Sequence, residues 1–249
     1  RKGFLHVAFD VMGLPFNFVN VHLVADLDNE RAAAVSPSEY SQTRASTLDL
    51  LLKRCNVPVD TNAAVFAGDF NFRLELKALW SEKSNVARGD VLKGKLFRCE
   101  YVQFEILRNK NGAALRRWDL ELQRFNENGR AENLLLEQPI DFAPTYCMID
   151  GTEQQYDEKR CPAWTDRVLY NRRLAAVATD FRYGSQSAQC DHHMVYLAFN
   201  VANSRENSSR ADANDNSEEE EDRTHSSSKW LKVIVYIALS AALLTWTWR

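Results

Sequence analysis

An aspartate and an asparagine two residues apart follow a short apolar segment in this sequence. The stretch reads Gly68-Asp69-Phe70-Asn71, after the apolar residues 64–67. Side chains two residues apart on an extended chain project to the same side. Asp69 and Asn71 could therefore orient and deprotonate a water molecule beside a metal ion. An Asx-rich turn without any function explains the same spacing equally well.

Histidines stand beside two other apolar segments. Asp191-His192 directly precedes the segment 194–199, and His22 alternates with apolar neighbours in 19–23. An imidazolium can bind a phosphoryl oxygen, and the neighbouring carboxylate can fix a metal ion or the ring. Taken alone, each histidine has an ordinary structural explanation, as the cap of a strand or as a satisfied side chain at a sheet surface.

A third candidate is the turn that carries Asp166 and Arg167. Pro162 and Trp164 make this turn rigid, and a rigidly placed carboxylate and guanidinium suit phosphate recognition or imidazole orientation. A structural Asp–Arg ion pair is the alternative. Cys161 and Arg167 also match the C-x5-R spacing of thiol phosphatases. We exclude that chemistry because Pro162 lacks an N–H and Asp166 would repel a phosphate.

Segments with strand and helix patterns interleave along the chain. Residues 4–10 and 16–23 predict a hairpin with its turn at 12–15. A helix is predicted to begin with Ser36 as its N-cap and to end before Pro58. Residues 75–135 are predicted to be mostly helical, and further strands at 64–67, 168–170, 177–183 and 194–201. This order indicates an α/β fold in which two β-sheets form a sandwich flanked by helices.

Composition narrows the class of function. The 249 residues are 45% hydrophobic and 26% charged, with a net charge of −3, which argues against nucleic acid as a partner. No obligate protein partner is indicated. The five cysteines are scattered, which favours reduced thiols in a cytoplasmic domain over disulfides or a zinc site. Because the sequence begins with Arg1, we expect it to be a piece of a longer protein.

The C-terminal part changes character after residue 202. Residues 203–228 are acidic and polar, which predicts a disordered linker, and 229–249 are predicted to be a transmembrane tail anchor. The sixteen residues 233–248 carry no charge and would span about 24 Å as a helix, near the lower limit for a bilayer. Tryptophans flank this run, as they do at membrane interfaces. A buried core helix and a glycolipid-attachment signal are the alternatives.

Together these motifs resemble the inositol polyphosphate 5-phosphatases of the endonuclease/exonuclease/phosphatase superfamily. The resemblance covers residues 1 to about 201 and rests on the sequences around His22 and Asp191-His192, on G-D-x-N-F-R at 68–73, on P-T-Y at 144–146 and on P-A-W-T-D-R-V-L at 162–169. It implies a sandwich of two mixed sheets. It also implies Mg²⁺-dependent removal of the 5-phosphate from inositol phosphates or from phosphoinositides such as phosphatidylinositol 4,5-bisphosphate.

The resemblance also assigns roles. Asp69 would activate the attacking water, and Asn71 would position the water and the phosphate. His22 and His192 would bind the scissile phosphate, with Asp166 orienting His192. Asp191 would lie at the metal. The residues assigned to substrate binding, with Arg167 also supporting its turn, are Arg73, Tyr146, Lys159, Arg160 and Arg167.

Two departures from the family pattern keep other functions open. The strands that carry the family's first Asn and its metal-binding Glu precede the part that matches Arg1, so domain 1–202 is expected to lack its first strands and to be nearly inactive alone. Cys147 stands where the family has a lysine. The alternatives are a non-catalytic phosphoinositide-binding membrane protein and another superfamily phosphodiesterase such as a sphingomyelinase.

Overall fold

The computed structural model describes residues 2–58, 60–84, 102–103, 106, 110–129, 134–149, 155–157, 160–188, 190–202, 230–238 and 241–248. The predicted linker at 203–228 lies outside these residues. The strands are β1 (Gly3–Val11), β2 (Leu14–His22), β3 (Ala63–Asp69), β4 (Asp166–Tyr170), β5 (Ala178–Gln186), β6 (Met194–Ala202), β7 (Trp230–Ala238) and β8 (Ala241–Trp248). The helices are α1 (Asn29–Ala34), α2 (Glu39–Cys55), α3 (Leu76–Ser84), a 3₁₀ helix (Lys110–Trp118), α4 (Glu121–Asn128) and α5 (Arg172–Val177).

The first sheet has the order β1-β2-β3-β4. Strand β2 pairs antiparallel with β1 and parallel with β3, and β4 pairs antiparallel with β3. The predicted hairpin is confirmed, but its turn contains only Met12 and Gly13. Both residues have positive φ angles, 54° and 83°, as a tight two-residue hairpin turn requires. Leu14 and Pro15, which were expected in the turn, belong to β2.

The second sheet has the order β5-β6-β7-β8, with every pair antiparallel. It packs face to face on the first sheet through one core of buried apolar side chains from both sheets. The rings of Phe16 on β2 and Phe199 on β6 stack with centroids 6.4 Å apart. The predicted class, two sheets with helices outside, is confirmed, but of the two sheets that were expected to be mixed only the first is; the described strands of the second are all antiparallel.

Helix α2 covers the other face of the first sheet. Leu48, Leu51 and Leu52 lie in a second buried cluster with residues of β2 and β3. The N-cap is Ser38, which accepts a hydrogen bond from the backbone of Ser41 at 3.1 Å. The prediction of Ser36 as the cap was therefore two residues early: Ser36 matches the capping box with Glu39, but serine is a favoured N-cap at both positions and only the fold decides between them.

The expected membrane helix at 229–249 is a pair of strands in the structure. Residues 230–238 and 241–248 form β7 and β8, and β7 pairs with β6. Within the described part of the chain, no helix has the length and apolar character needed to cross a bilayer. The prediction of a helix was wrong because hydrophobicity alone does not distinguish helix from strand. This segment is rich in β-branched and aromatic residues, which favour strands.

Strand β7 shows the alternation of a half-buried strand. Leu231 and Val233 are buried in the core between the sheets, whereas Lys232 between them is exposed. The start of β7 is therefore an integral part of the second sheet.

Replacing Val233 by Asp should lower the free energy of unfolding by roughly 3 kcal/mol or more, because it buries a charge without a partner. Urea denaturation of the purified protein would measure this. Lys232→Asp, one residue away on the exposed side, should change stability little. Equal stability of the two variants would show that β7 does not pack on the core.

Candidate active site

Three of the predicted residues meet at one edge of the first sheet. His22 is paired in register with Asp69, and Asp69 with Asp166. Since β2 and β3 are parallel, both end at this edge, and the antiparallel β4 begins there. His22 Nε2 lies 3.4 Å from Asp69 Oδ2. The sheet thus brings together residues that are 47 and 97 positions apart in the sequence.

Gly68 allows this close approach. Its φ angle is +147°, and a Cβ atom built on it would lie 2.0 Å from the backbone oxygen of Val21. A residue with a side chain would force β2 and β3 apart next to Asp69. The glycine of the G-D-x-N motif therefore has a steric role directly beside the site.

Asn71 holds the carboxylate of Asp69 in place. Its backbone N–H donates to Asp69 Oδ1 at 2.8 Å, and its side-chain amide donates to Oδ2 at 2.9 Å and to the carbonyl of Leu23 at 3.1 Å. Asn71 has a φ angle of 54°, a left-handed conformation that asparagine tolerates. The geometry assigns it to orienting Asp69, while its predicted contact with water and phosphate stays a prediction.

The environment of Asp69 suits a base at neutral pH. Burial raises the pKa of Asp69 to about 6, and the negative charge of Asp166 adds to this effect. The charges of His192 and Arg73 and the N–H of Asn71 act in the opposite direction. A base is most effective when its pKa lies near the working pH, and the pKa of Asp69 is close to that range.

His192 and Asp166 form the predicted pair. His192 Nδ1 lies 2.8 Å from Asp166 Oδ2, which leaves Nε2 as the nitrogen that can contact a phosphoryl oxygen. Burial lowers the pKa of His192, but the hydrogen bond and charge of Asp166, with the charges of Asp69 and Asp191, outweigh burial and raise it. The imidazolium form is therefore favoured, as binding of a phosphate requires.

Two threonines that sequence reasoning missed complete this pair. Thr145 and Thr165 are both fully buried, and their hydroxyls donate to Asp166 Oδ2 at 2.9 and 2.8 Å. The sequence did offer one indication of their importance, because Thr145 precedes Tyr146 in the P-T-Y motif and Thr165 precedes Asp166 in W-T-D. Sequence alone could not show that the two hydroxyls converge on one oxygen.

Lys2 is a second residue that was missed. Its Nζ lies 2.5 Å from Nε2 of His22. Burial lowers the pKa of His22, and the positive charges of Lys2 and His192 lower it further, despite the charge of Asp166. His22 is therefore held mainly neutral here, unlike His192.

Arg73 and Tyr146 extend the site from His192. The Arg73 guanidinium lies 4.5 Å from the centroid of the Tyr146 ring, and that ring lies 4.4 Å from the His192 ring. Arg73 Nη2 donates to Asn71 Oδ1 at 2.8 Å. Arg73 Nε is buried and has no hydrogen-bond partner among the described residues. A buried donor of this kind suits an anionic ligand.

The other predicted substrate-binding residues have different outcomes. Lys159 lies outside the described residues. Arg160 donates to the backbone carbonyl of Asp26 at 2.7 Å. For Arg167, the predicted support of its turn is confirmed, whereas substrate binding is a correction: its buried guanidinium is bound by the carbonyl of Trp164 and by the carboxylates of Asp119 and Glu137. Neighbouring residues of a strand face opposite sides, so Asp166 faces the site and Arg167 instead supports the turn.

The described residues do not by themselves fit a Mg²⁺ ion. Among them, no three His, Cys, Asp or Glu side chains are grouped as a metal site requires. Asp191 is exposed at the rim beside His192, and one carboxylate is a small part of the oxygen set that Mg²⁺ prefers. Cys147, at the position of the family lysine, is buried, and its thiol donates to the carbonyls of Asp157 and Arg160.

Family comparison agrees with this fold. The model of Endonuclease/Exonuclease/phosphatase family 2 matches residues 1–198, and the chain belongs to this family. Among solved structures, the inositol polyphosphate 5-phosphatase domain of SPsynaptojanin, in complex with inositol (1,4)-bisphosphate and calcium ion, matches with a TM-score of 0.53 and 24% identity, over 79% of this chain and 49% of that one.

The relatives among characterised proteins are more specific. The chain is 31% identical over 241 residues to inositol polyphosphate-5-phosphatase A of Rattus norvegicus, which covers 81% of this chain and 57% of the rat protein. It is 27% identical over 207 residues to inositol-1,4,5-trisphosphate 5-phosphatase 1 of Schizosaccharomyces pombe, over 80% of this chain and 16% of that protein. The resemblance to inositol polyphosphate 5-phosphatases is confirmed, and the chain spans little more than half the length of the rat relative.

Replacing Asp166 by Asn should lower the pKa of His192, because burial then acts without the opposing charge of Asp166. An NMR titration of the His192 ring would measure this. Asp191→Asn should lower the same pKa by less, since the charge of Asp191 is the weakest of these influences. An unchanged His192 pKa in Asp166→Asn would contradict the proposed pairing.

Proposed function

We propose that this protein removes the 5-phosphate from an inositol phosphate headgroup, in a reaction that requires a divalent cation and uses water as the nucleophile. The observation that carries the proposal is the convergence of Asp69 and the Asp166–His192 pair at one sheet edge. A base and a phosphate-binding imidazolium side by side are what hydrolysis of a phosphate ester needs. The names of the rat and yeast relatives support the inositol headgroup.

The residues suggest a sequence of events. Water gives a proton to the Asp69 carboxylate as its oxygen bonds to phosphorus, while Asn71 keeps that carboxylate oriented. The bond between phosphorus and the ring oxygen breaks, and the ring oxygen takes up a proton, so that inositol hydroxyl and phosphate are the products. His192 lies where its positive charge can stabilise the transferred phosphoryl group.

The cation requirement is proposed from a relative rather than from the described residues. Calcium is present in the SPsynaptojanin complex, and hard cations of this kind bind through carboxylate oxygens. Magnesium is the ion we propose for this protein, with Asp191 as one contributor. Attachment to a membrane through residues 229–249, with the domain in the cytoplasm, stays a prediction.

Asp69→Asn should reduce phosphate release by roughly 10²- to 10⁴-fold, since it removes the base. We would incubate the full-length protein with Mg²⁺ and either inositol 1,4,5-trisphosphate or vesicles containing phosphatidylinositol 4,5-bisphosphate. Comparing the two rates distinguishes a soluble from a lipid substrate. Asp49→Asn, on the exposed side of α2, is the matched control and should retain full activity.

A full-length protein that releases no phosphate from either substrate, with or without Mg²⁺, would refute the enzymatic proposal. If that protein still bound the vesicles, the non-catalytic phosphoinositide-binding protein would become the better description.

Activity should rise with pH through about 6, because Asp69 accepts a proton only in its ionised form and its pKa is raised to about 6. The slope of log kcat/KM below that pH should approach one. In Asp166→Asn, the midpoint of the rise in residual activity should move to a lower pH, since the charge of Asp166 helps to raise the pKa of Asp69. A profile that is flat between pH 5 and pH 7, about one unit to either side of that pKa, would exclude Asp69 as the base.

A further inference from the structure

We infer that Arg44 is a positioning residue that holds two substrate-binding arginines, Arg73 and Arg160, at a fixed spacing. This inference rests on the proposed function, because it concerns how the inositol headgroup is held. Arg44 lies on α2, outside every motif that carries the family resemblance, and its side chain is fully buried. Its partners on two other segments connect it to both arginines.

The Arg44 guanidinium binds two carboxylates. Its Nε and Nη2 donate to the two oxygens of Glu121 at 2.8 and 2.5 Å, in a fork-to-fork arrangement. Its Nη1 donates to Asp26 Oδ1 at 2.5 Å and to the carbonyl of Val24 at 3.3 Å. Burial lowers the pKa of Arg44, but the two carboxylates outweigh burial and raise it. Arg44 therefore remains charged inside the protein.

Glu121 connects Arg44 to Arg73. Besides its bonds to Arg44, Glu121 Oε1 accepts a hydrogen bond from the backbone N–H of Arg73 at 2.9 Å. Burial raises the pKa of Glu121, whereas Arg44 and the Arg73 N–H lower it. Burial has the larger effect, so the pKa of Glu121 is raised overall, and Arg44 offsets part of the cost of burying the carboxylate that holds the Arg73 backbone.

Asp26 connects Arg44 to Arg160. The carboxylate of Asp26 is bound to Arg44, and its backbone carbonyl accepts the bond from Arg160 Nη1 at 2.7 Å. Segments that are far apart in the sequence, at 26, 73 and 160, are therefore tied to one buried cation.

The arrangement depends on the planar guanidinium of Arg44 and its several N–H donors, not only on its positive charge. A lysine could supply a positive charge but not two parallel hydrogen bonds to Glu121 together with a third to Asp26. In Arg44→Lys, the segments of Arg73 and Arg160 would no longer be bound to one common side chain, and the two guanidinium groups would no longer be held in one fixed arrangement. Affinity for the headgroup should fall, while Asp69, Asp166 and His192 remain in place.

We would test this in two backgrounds with the full-length protein. In active protein, Arg44→Lys should raise KM for inositol 1,4,5-trisphosphate about tenfold and change kcat by less than about twofold. In Asp69→Asn protein, which should bind without turnover, Kd for the same compound by calorimetry should rise about tenfold. Inhibition by inorganic phosphate, which has no ring phosphates, should be unchanged.

Two comparisons separate positioning from a merely structural role. Val11→Ala removes buried apolar volume at the opposite edge of the sheet; it should lower stability and leave KM unchanged. In an Arg73→Ala, Arg160→Ala background, Arg44→Lys should no longer weaken binding, since both dependent arginines are absent.

Arg44→Lys is preferred to Arg44→Ala, which would leave two carboxylates buried without a counter-ion and could unfold the protein.

The inference is overturned if Arg44→Lys leaves KM and Kd unchanged, if Val11→Ala raises KM equally, or if inorganic phosphate loses affinity to the same degree. It is also overturned if Asp69→Asn protein does not bind the trisphosphate. Suppose that Asp69→Asn protein binds the trisphosphate and that adding Arg44→Lys weakens this binding about tenfold. If the protein with Asp69 intact then releases no phosphate, only the proposed reaction is refuted.

Discussion

The parallel pairing of β2 with β3 is the constraint on which the site depends. It makes two strands end at the same sheet edge, so that His22 and Asp69 become neighbours without either lying on a flexible loop. Gly68 permits the pairing to continue up to Asp69, because any side chain there would meet the backbone of Val21. Asp166 is added by the antiparallel β4, which begins where the other two strands end.

The charged residues of the site form two groups, one proposed for catalysis and one proposed for substrate binding. On the catalytic side, Asp69, Asp166 and His192 influence one another's protonation directly. On the binding side, Arg73 and Arg160 are held through partners that are themselves bound to a buried cation. Tyr146 lies between the groups, with Arg73 against its ring on one side and His192 on the other. The two groups are held by different partners, and they meet where Arg73 donates to Asn71, which in turn holds Asp69.

Local motifs were sufficient to predict the sheet edge but not what surrounds it. The strands at β2, β3, β4 and β6 carry clear apolar patterns, and the motif residues Asp69, Asp166 and His192 lie together as expected. Arg167 could not be assigned correctly, because a motif does not show which face of a strand a residue occupies. Arg44, Thr145 and Thr165 were missed because their partners lie far away in the sequence and become neighbours only in the fold.

The C-terminal segment shows the same limit at a larger scale. An apolar run of sixteen residues satisfies the criterion for a short membrane helix, yet β6 offers an edge on which the same residues extend a sheet. Composition could not decide between a bilayer and a protein surface as the apolar environment. Leu231, Lys232 and Val233 are alternately buried and exposed, which is the period of a half-buried strand, but three residues at the start of the segment were too few to predict the strand from sequence.

Asp166 is the residue through which the catalytic group depends on the fold. One of its oxygens accepts hydrogen bonds from Thr145 and Thr165 and pairs with His192, so this buried carboxylate has three polar partners. That anion raises the pKa of Asp69 and, at the same time, raises the pKa of His192. The same buried charge thus acts on the base, whose pKa burial raises still more, and on the imidazolium, whose pKa burial alone would lower. Because Asp166 acts on both groups, a change at Asp166 alters the base and the phosphate-binding group together.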